Sequence, residues 1–67
     1  MAKATYGFRA SEWNEIEATK DAIRRATEDE TGILNGYKGS YETEKVQTDE
    51  QRHNDEFCIV IRTSSEA

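Results

Sequence analysis

Sixty-seven residues, 34% of them hydrophobic and 34% charged, make one small α+β domain near the lower size limit for unaided folding. The single cysteine excludes an internal disulfide, so a reducing, cytoplasmic setting is the expectation. The formal net charge of −5 disfavours direct nucleic-acid binding, which needs basic surface, and suits attraction to a basic partner. No apolar run resembles a signal peptide, and none approaches a membrane span.

Residues 3–10 alternate. Ala4, Tyr6, Phe8 and Ala10 share one parity, and Lys3, Thr5 and Arg9 take the other, which predicts a half-buried strand. Ser11 offers an N-cap oxygen, and Glu12, Glu15 and Glu17 follow where a helix N-terminus favours acids. Trp13, Ile16, Thr19 or Lys20, Ile23 and Ala26 recur at helical spacing beside Ala22. The spacing predicts a helix over 11–31, lying on one surface, with Gly32 as a left-handed stop.

The stretch 32–39 is rich in glycine and reads as turns, with Ile33 and Leu34 tucked under the helix end. Residues 38–48 carry Tyr41, Thr43, Val46 and Thr48 and predict a second, mostly polar strand. Residues 49–55 contain nothing apolar and read as a hairpin loop. Residues 56–63 form the third strand.

The order β-α-β-β places the most apolar strand in the centre of an antiparallel sheet, order 1-3-2, with the helix on one face. Phe57, Ile59 and Ile61 would face the helix. Cys58 and Val60 would then lie on the open face, which predicts self-association there as a homodimer or higher homo-oligomer.

Tests for chemistry return little. His53, Asp55 and Cys58 lack the fourth ligand of a zinc tetrahedron, and no metal or cofactor is expected. Cys58 has its only histidine five residues away, and an apolar strand raises a thiol pKa. Gly32, Gly36 and Gly39 follow a helix and precede a strand, the reverse of a phosphate loop. Lys38 and the Gly36-Tyr37-Lys38-Gly39 turn could contact nucleic acid, but the net charge opposes it. The reading is therefore not an enzyme.

Two features remain. Glu28, Asp29 and Glu30 stand at the helix end whose dipole prefers cations, partly compensated by Arg24 and Arg25. With Glu42, Glu44, Asp49, Glu50, Asp55 and Glu56 they suggest an acidic face for a larger protein with a basic surface. Trp13 is either a core anchor or an exposed contact residue.

The β-α-β-β order in this length resembles dodecins, small flavin-binding proteins that assemble into hollow shells. In that family a tryptophan of the second strand stacks on the flavin, whereas here Tyr37 and Tyr41 occupy the segment. The size, acidity and lack of catalytic motifs resemble small phage-encoded inhibitors, including anti-CRISPR proteins. The first expectation is a non-enzymatic inhibitor, of nucleic-acid-mimicking or anti-CRISPR type, that occludes a basic surface. The alternative is a dodecin-like self-assembling carrier holding a flavin between tyrosines of adjacent subunits.

Overall fold

The structure is a computed structural model that describes residues 2–64. Its elements run β1 (Lys3–Arg9), α1 (Glu15–Glu28), β2 (Tyr41–Val46), α2 (Asp49–His53) and β3 (Glu56–Thr63). The strands make one antiparallel sheet in the order β1-β3-β2, as the apolar run of β3 predicts. No helix of the described residues is long and apolar enough to cross a membrane.

Residues facing each other across an antiparallel pair share a face. Phe8 opposes Phe57, Tyr6 opposes Ile59, and Ala4 and Thr43 flank Ile61. This is the face under α1, where Phe57, Ile59 and Ile61 are the largest fully buried side chains. α1 meets it with Ala18, Ala22 and Ala26, all at 0% exposure. Three alanines at intervals of four form a smooth ridge, so the helix lies close against the large side chains of the sheet. This phase departs from the predicted stripe. Ile23 is half-buried, but Ile16 is 69% exposed and Lys20 is exposed.

The helix is also shorter than predicted. The carbonyl of Arg9 accepts the N–H groups of both Glu12 and Trp13 at 3.0 Å, so residues 10–13 turn before any helix begins. Asn14, not Ser11, is the N-cap, its Oδ1 accepting from the Glu17 N–H at 2.8 Å. At the other end Asp29 takes an extended conformation and stops the helix. Its last carbonyls are then satisfied from the following loop. Leu34 N–H donates to Ala26 at 3.1 Å, and Asn35 Nδ2 donates to Thr27 at 2.8 Å. Leu34 is buried beneath the helix end as expected, with Ile33 half-buried beside it.

Gly32 is not the left-handed stop. The one glycine with positive φ among the described residues is Gly36, at 75°. Gly32 is needed for space instead, because a Cβ there would overlap the backbone of Ala26.

The predicted hairpin loop contains a second short helix. Thr48 Oγ1 accepts from Gln51 N–H, and Gln51 Oε1 accepts from Thr48 N–H, both at 3.0 Å. This reciprocal capping box explains a helical turn in a stretch with no apolar residue.

α2 bears on the second face of the sheet. Gln51 Nε2 lies 3.1 Å from Cys58 Sγ, and Cys58 is half-buried. Val60, predicted on an open face, is only 5% exposed. It sits between Thr5 and Glu44, and Glu44 Oε1 accepts from Arg62 Nη1 at 2.7 Å alongside it. The second face of β3 is covered largely by its own chain. The open apolar face predicted to drive self-association at Cys58 and Val60 is thus absent at Val60 and reduced at Cys58.

Candidate functional site

The turn that precedes α1 fixes Trp13. With both Glu12 and Trp13 bonded back to Arg9, the indole folds onto the end of β1. It meets Phe8 edge-on, and Phe8 stacks in turn on Phe57 with centroids 5.8 Å apart. Trp13 is half-buried: it packs against the core and keeps part of its ring exposed.

The indole is the shared wall of two grooves. One, of about 420 Å³, lies over Phe8 and Phe57 and is bordered by Arg9, Arg25 and Glu56. The guanidinium of Arg25 stands 6.0 Å from the centre of the Phe8 ring. The other, of about 480 Å³, runs beside α1 and is lined by Glu12, Glu17, Lys20, Asp21 and Arg24. Ile16, exposed one turn from Trp13, adds an aliphatic side chain to this end of the helix.

Charges around the grooves are mostly paired. Arg9 holds Glu12 at 3.2 Å. Asp21, whose side chain is 11% exposed, takes Arg24 at 2.6 Å and Arg25 Nε at 2.9 Å. The Arg25 contact is ionic, because Asp21 Oδ2 lies off the line of any N–H and has no hydrogen-bond partner. Arg24 also reaches Glu28 at 3.2 Å. The hydrogen bond to Asp21 and its charge, then the hydrogen bond to Glu28, hold the Arg24 guanidinium above its ordinary range.

The predicted acidic face is not one surface. α2 begins next to the end of β2 that pairs with Cys58, and Gln51 shares a groove with Trp13. Asp49 and Glu50 lie on α2, over the second face of the sheet, where Asp49 pairs with Arg52 at 3.1 Å. Fourteen helical residues place Glu28 about 20 Å from the start of α1, with Asp29 and Glu30 just beyond. Glu42 and Glu44 oppose Arg62 and Val60, on the face turned away from α1. Asp55 has φ 60° in the turn between α2 and β3, and Glu56 begins β3.

The remaining candidates are dispersed. Among the described residues, no group of three His, Cys, Asp or Glu side chains could hold a metal ion. His53 ends α2 and is exposed, while the Cys58 thiol faces Gln51. Lys38 is exposed in the turn region between α1 and β2. Tyr37 is half-buried with its hydroxyl donating to Ser40 at 2.7 Å, and Tyr41 is 43% exposed at the start of β2.

Sequence reasoning missed the exposure of Ile16 and the role of Asp21. Asn14 three residues before Glu17 signals the true helix start, and the buried face of Ala18, Ala22 and Ala26 leaves out Ile16. Asp21 stands three and four residues before Arg24 and Arg25, the favourable order for helical ion pairs.

No family model matches the chain, and no curated protein or solved structure matches it either. The structure defines an α+β domain in which a half-buried tryptophan is the shared wall of two surface grooves.

Proposed function

We propose that this protein is a small, non-enzymatic binding module that occludes a basic surface on a larger protein, with the contact centred on Trp13 and Ile16. The observation that carries this reading is the exposure of Ile16. A chain with so little apolar material leaves a large aliphatic side chain 69% exposed, one turn from a tryptophan that is itself only half-buried. An anchored aromatic beside an exposed aliphatic is the composition of an interface centre.

Charge supports a basic partner. Glu12 and Glu17 line the groove beside Trp13 among paired cations, and the whole chain carries a formal −5. That net charge accelerates encounter with a cationic surface and discriminates against acidic ones. A protein that ordinarily grips nucleic acid would offer this surface, which is how an inhibitor of nucleic-acid-mimicking or anti-CRISPR type would act.

The test is co-purification from the native cell with wild type, Ile16→Ser and Glu17→Lys. Neither substitution touches the buried core, so circular dichroism should match wild type. Loss of the same basic protein from both variants is expected, and lower salt should not restore it to Ile16→Ser. Retention by both would refute the reading.

The dodecin-like alternative is favoured by one observation, the exposure of Tyr41. Tyr37 is already committed to Ser40, so Tyr41 is the ring available for stacking. Flavin absorbance in the purified protein would decide for this alternative.

A further inference from the structure

Among the described residues the sheet has two unpaired edges, and they differ. Thr63 N–H donates to Ala2 at 3.0 Å and Ala10 N–H donates to Asp55 at 2.8 Å. In the alternating antiparallel pattern, Ala4, Tyr6 and Phe8 therefore exchange their backbone bonds with β3. The N–H and C=O groups of Lys3, Thr5 and Gly7 point away from the sheet. On the other edge β2 carries three charged residues among six, Glu42, Glu44 and Lys45. Such charges blunt an edge. β1 is uncharged from Ala4 to Phe8, keeps an unbroken seven-pair register without a bulge, and has no proline. Lys3, Thr5 and Gly7, whose backbone groups form this edge, are all exposed.

We infer that the β1 edge takes a second copy of this chain, forming a two-fold symmetric dimer with one continuous six-stranded sheet. The occupant follows from the registers available. A two-fold axis through an antiparallel pair must bring outward-pointing residues opposite outward-pointing residues, which leaves centres at Thr5, Tyr6 or Gly7. A centre at Gly7 calls on the Arg9 carbonyl, which already accepts from Glu12 and Trp13. A centre at Tyr6 sets Lys3 against Arg9 of the other copy, like charges directly opposed.

A centre at Thr5 has neither fault. Thr5 meets its own copy, and Lys3 lies opposite Gly7, where a Cβ would meet nothing within 4 Å. On the helix side Tyr6 lies over Ala4. Large side chains oppose small ones on both faces, and about six backbone hydrogen bonds form. The axis stands perpendicular to the sheet, so both copies of Trp13 appear on the same side.

The test is sedimentation equilibrium over a wide concentration series. Wild type should pass from monomer to dimer. Thr5→Pro removes an outward N–H that β3 does not use, and should stay monomeric. Gly7→Lys sets a cation opposite Lys3 twice in the dimer, and should weaken association about tenfold. The double variant Lys3→Glu with Gly7→Lys should restore it, since each new pair is then oppositely charged. Far-UV circular dichroism reports folding of every variant, and the Gly7→Lys arm stands even where Thr5→Pro fails to fold. A wild type that remains monomeric throughout, or a dimer indifferent to Gly7→Lys, would overturn the inference.

Discussion

The rings of Phe8 and Trp13 lie 5.4 Å apart and 68° from coplanar, so the edge of the indole seals the end of the core that Phe8 and Phe57 fill. This contact gives Trp13 a structural share that Ile16 lacks. Trp13→Ala should lower unfolding free energy by about 2 kcal/mol, less than the loss at a fully buried ring because part of the indole is already in water. Trp13→Phe should recover most of that loss by keeping an aromatic edge on Phe8. Ile16→Ser should change stability by no more than about 0.5 kcal/mol. Urea unfolding of the three variants separates anchor from contact residue, and an Ile16→Ser loss equal to that of Trp13→Ala would contradict the exposure seen here.

Gly32 and Gly7 make a second contrast. A Cβ on Gly32 would strike the carbonyl of Ala26, a backbone group held by the Leu34 N–H and unable to move aside cheaply. Gly32→Ala should therefore cost about 1–3 kcal/mol, as overpacking does. Gly7 has open space at the same atom. Gly7→Ala should be neutral, or stabilising by about 0.4–1 kcal/mol through a less flexible unfolded chain. Thermal melts on dilute protein check both, and the order of the two melting temperatures is the decisive reading.

The strands were legible because their patterns have period two. The alternation of 3–10 and the apolar run of 56–63 gave both their places and the central position of β3. The helix stripe was right at Ala22, Ile23 and Ala26 and wrong at Ile16, for a local reason. Large residues such as Ile16 dominate a hydrophobic stripe by eye, whereas close packing against a sheet of Phe and Ile also selects the small Ala18. α2 carries no apolar residue, so periodicity could not reveal it; the Thr48 and Gln51 pair could. The burial of Val60 depends on Thr5, Glu44 and Arg62 from three strands, an arrangement visible only once the register is known. The two grooves at Trp13 have the same origin, since Gln51, Phe57 and Arg25 are distant in sequence. Acidic segments spread through the chain looked like one face because a sequence does not show which side of a sheet each one takes.

The acids at the end of α1 supply the sharpest test of where the function lies. Glu28 closes the helix, Asp29 caps it and Glu30 follows, all exposed and all facing the negative end of the helix dipole. Replacing the three with lysine removes an unfavourable interaction of about 0.3–1 kcal/mol. It also breaks the exposed Arg24–Glu28 pair, whose contribution is small because water screens it. The gain outweighs or offsets that loss, so the melting temperature should hold or rise slightly. These residues stand about one helix length, roughly 20 Å, from Trp13 and Ile16. At physiological salt that exceeds the range over which exposed charges act strongly, about 8 Å. The triple variant should therefore keep its dissociation rate from a basic partner and lose only part of its association rate, and only at low salt. Glu17→Lys, beside the grooves, should raise the dissociation rate at every salt concentration. Surface plasmon resonance at two ionic strengths distinguishes the patterns. A triple variant that dissociates faster than Glu17→Lys would move the site from Trp13 to the far end of the helix.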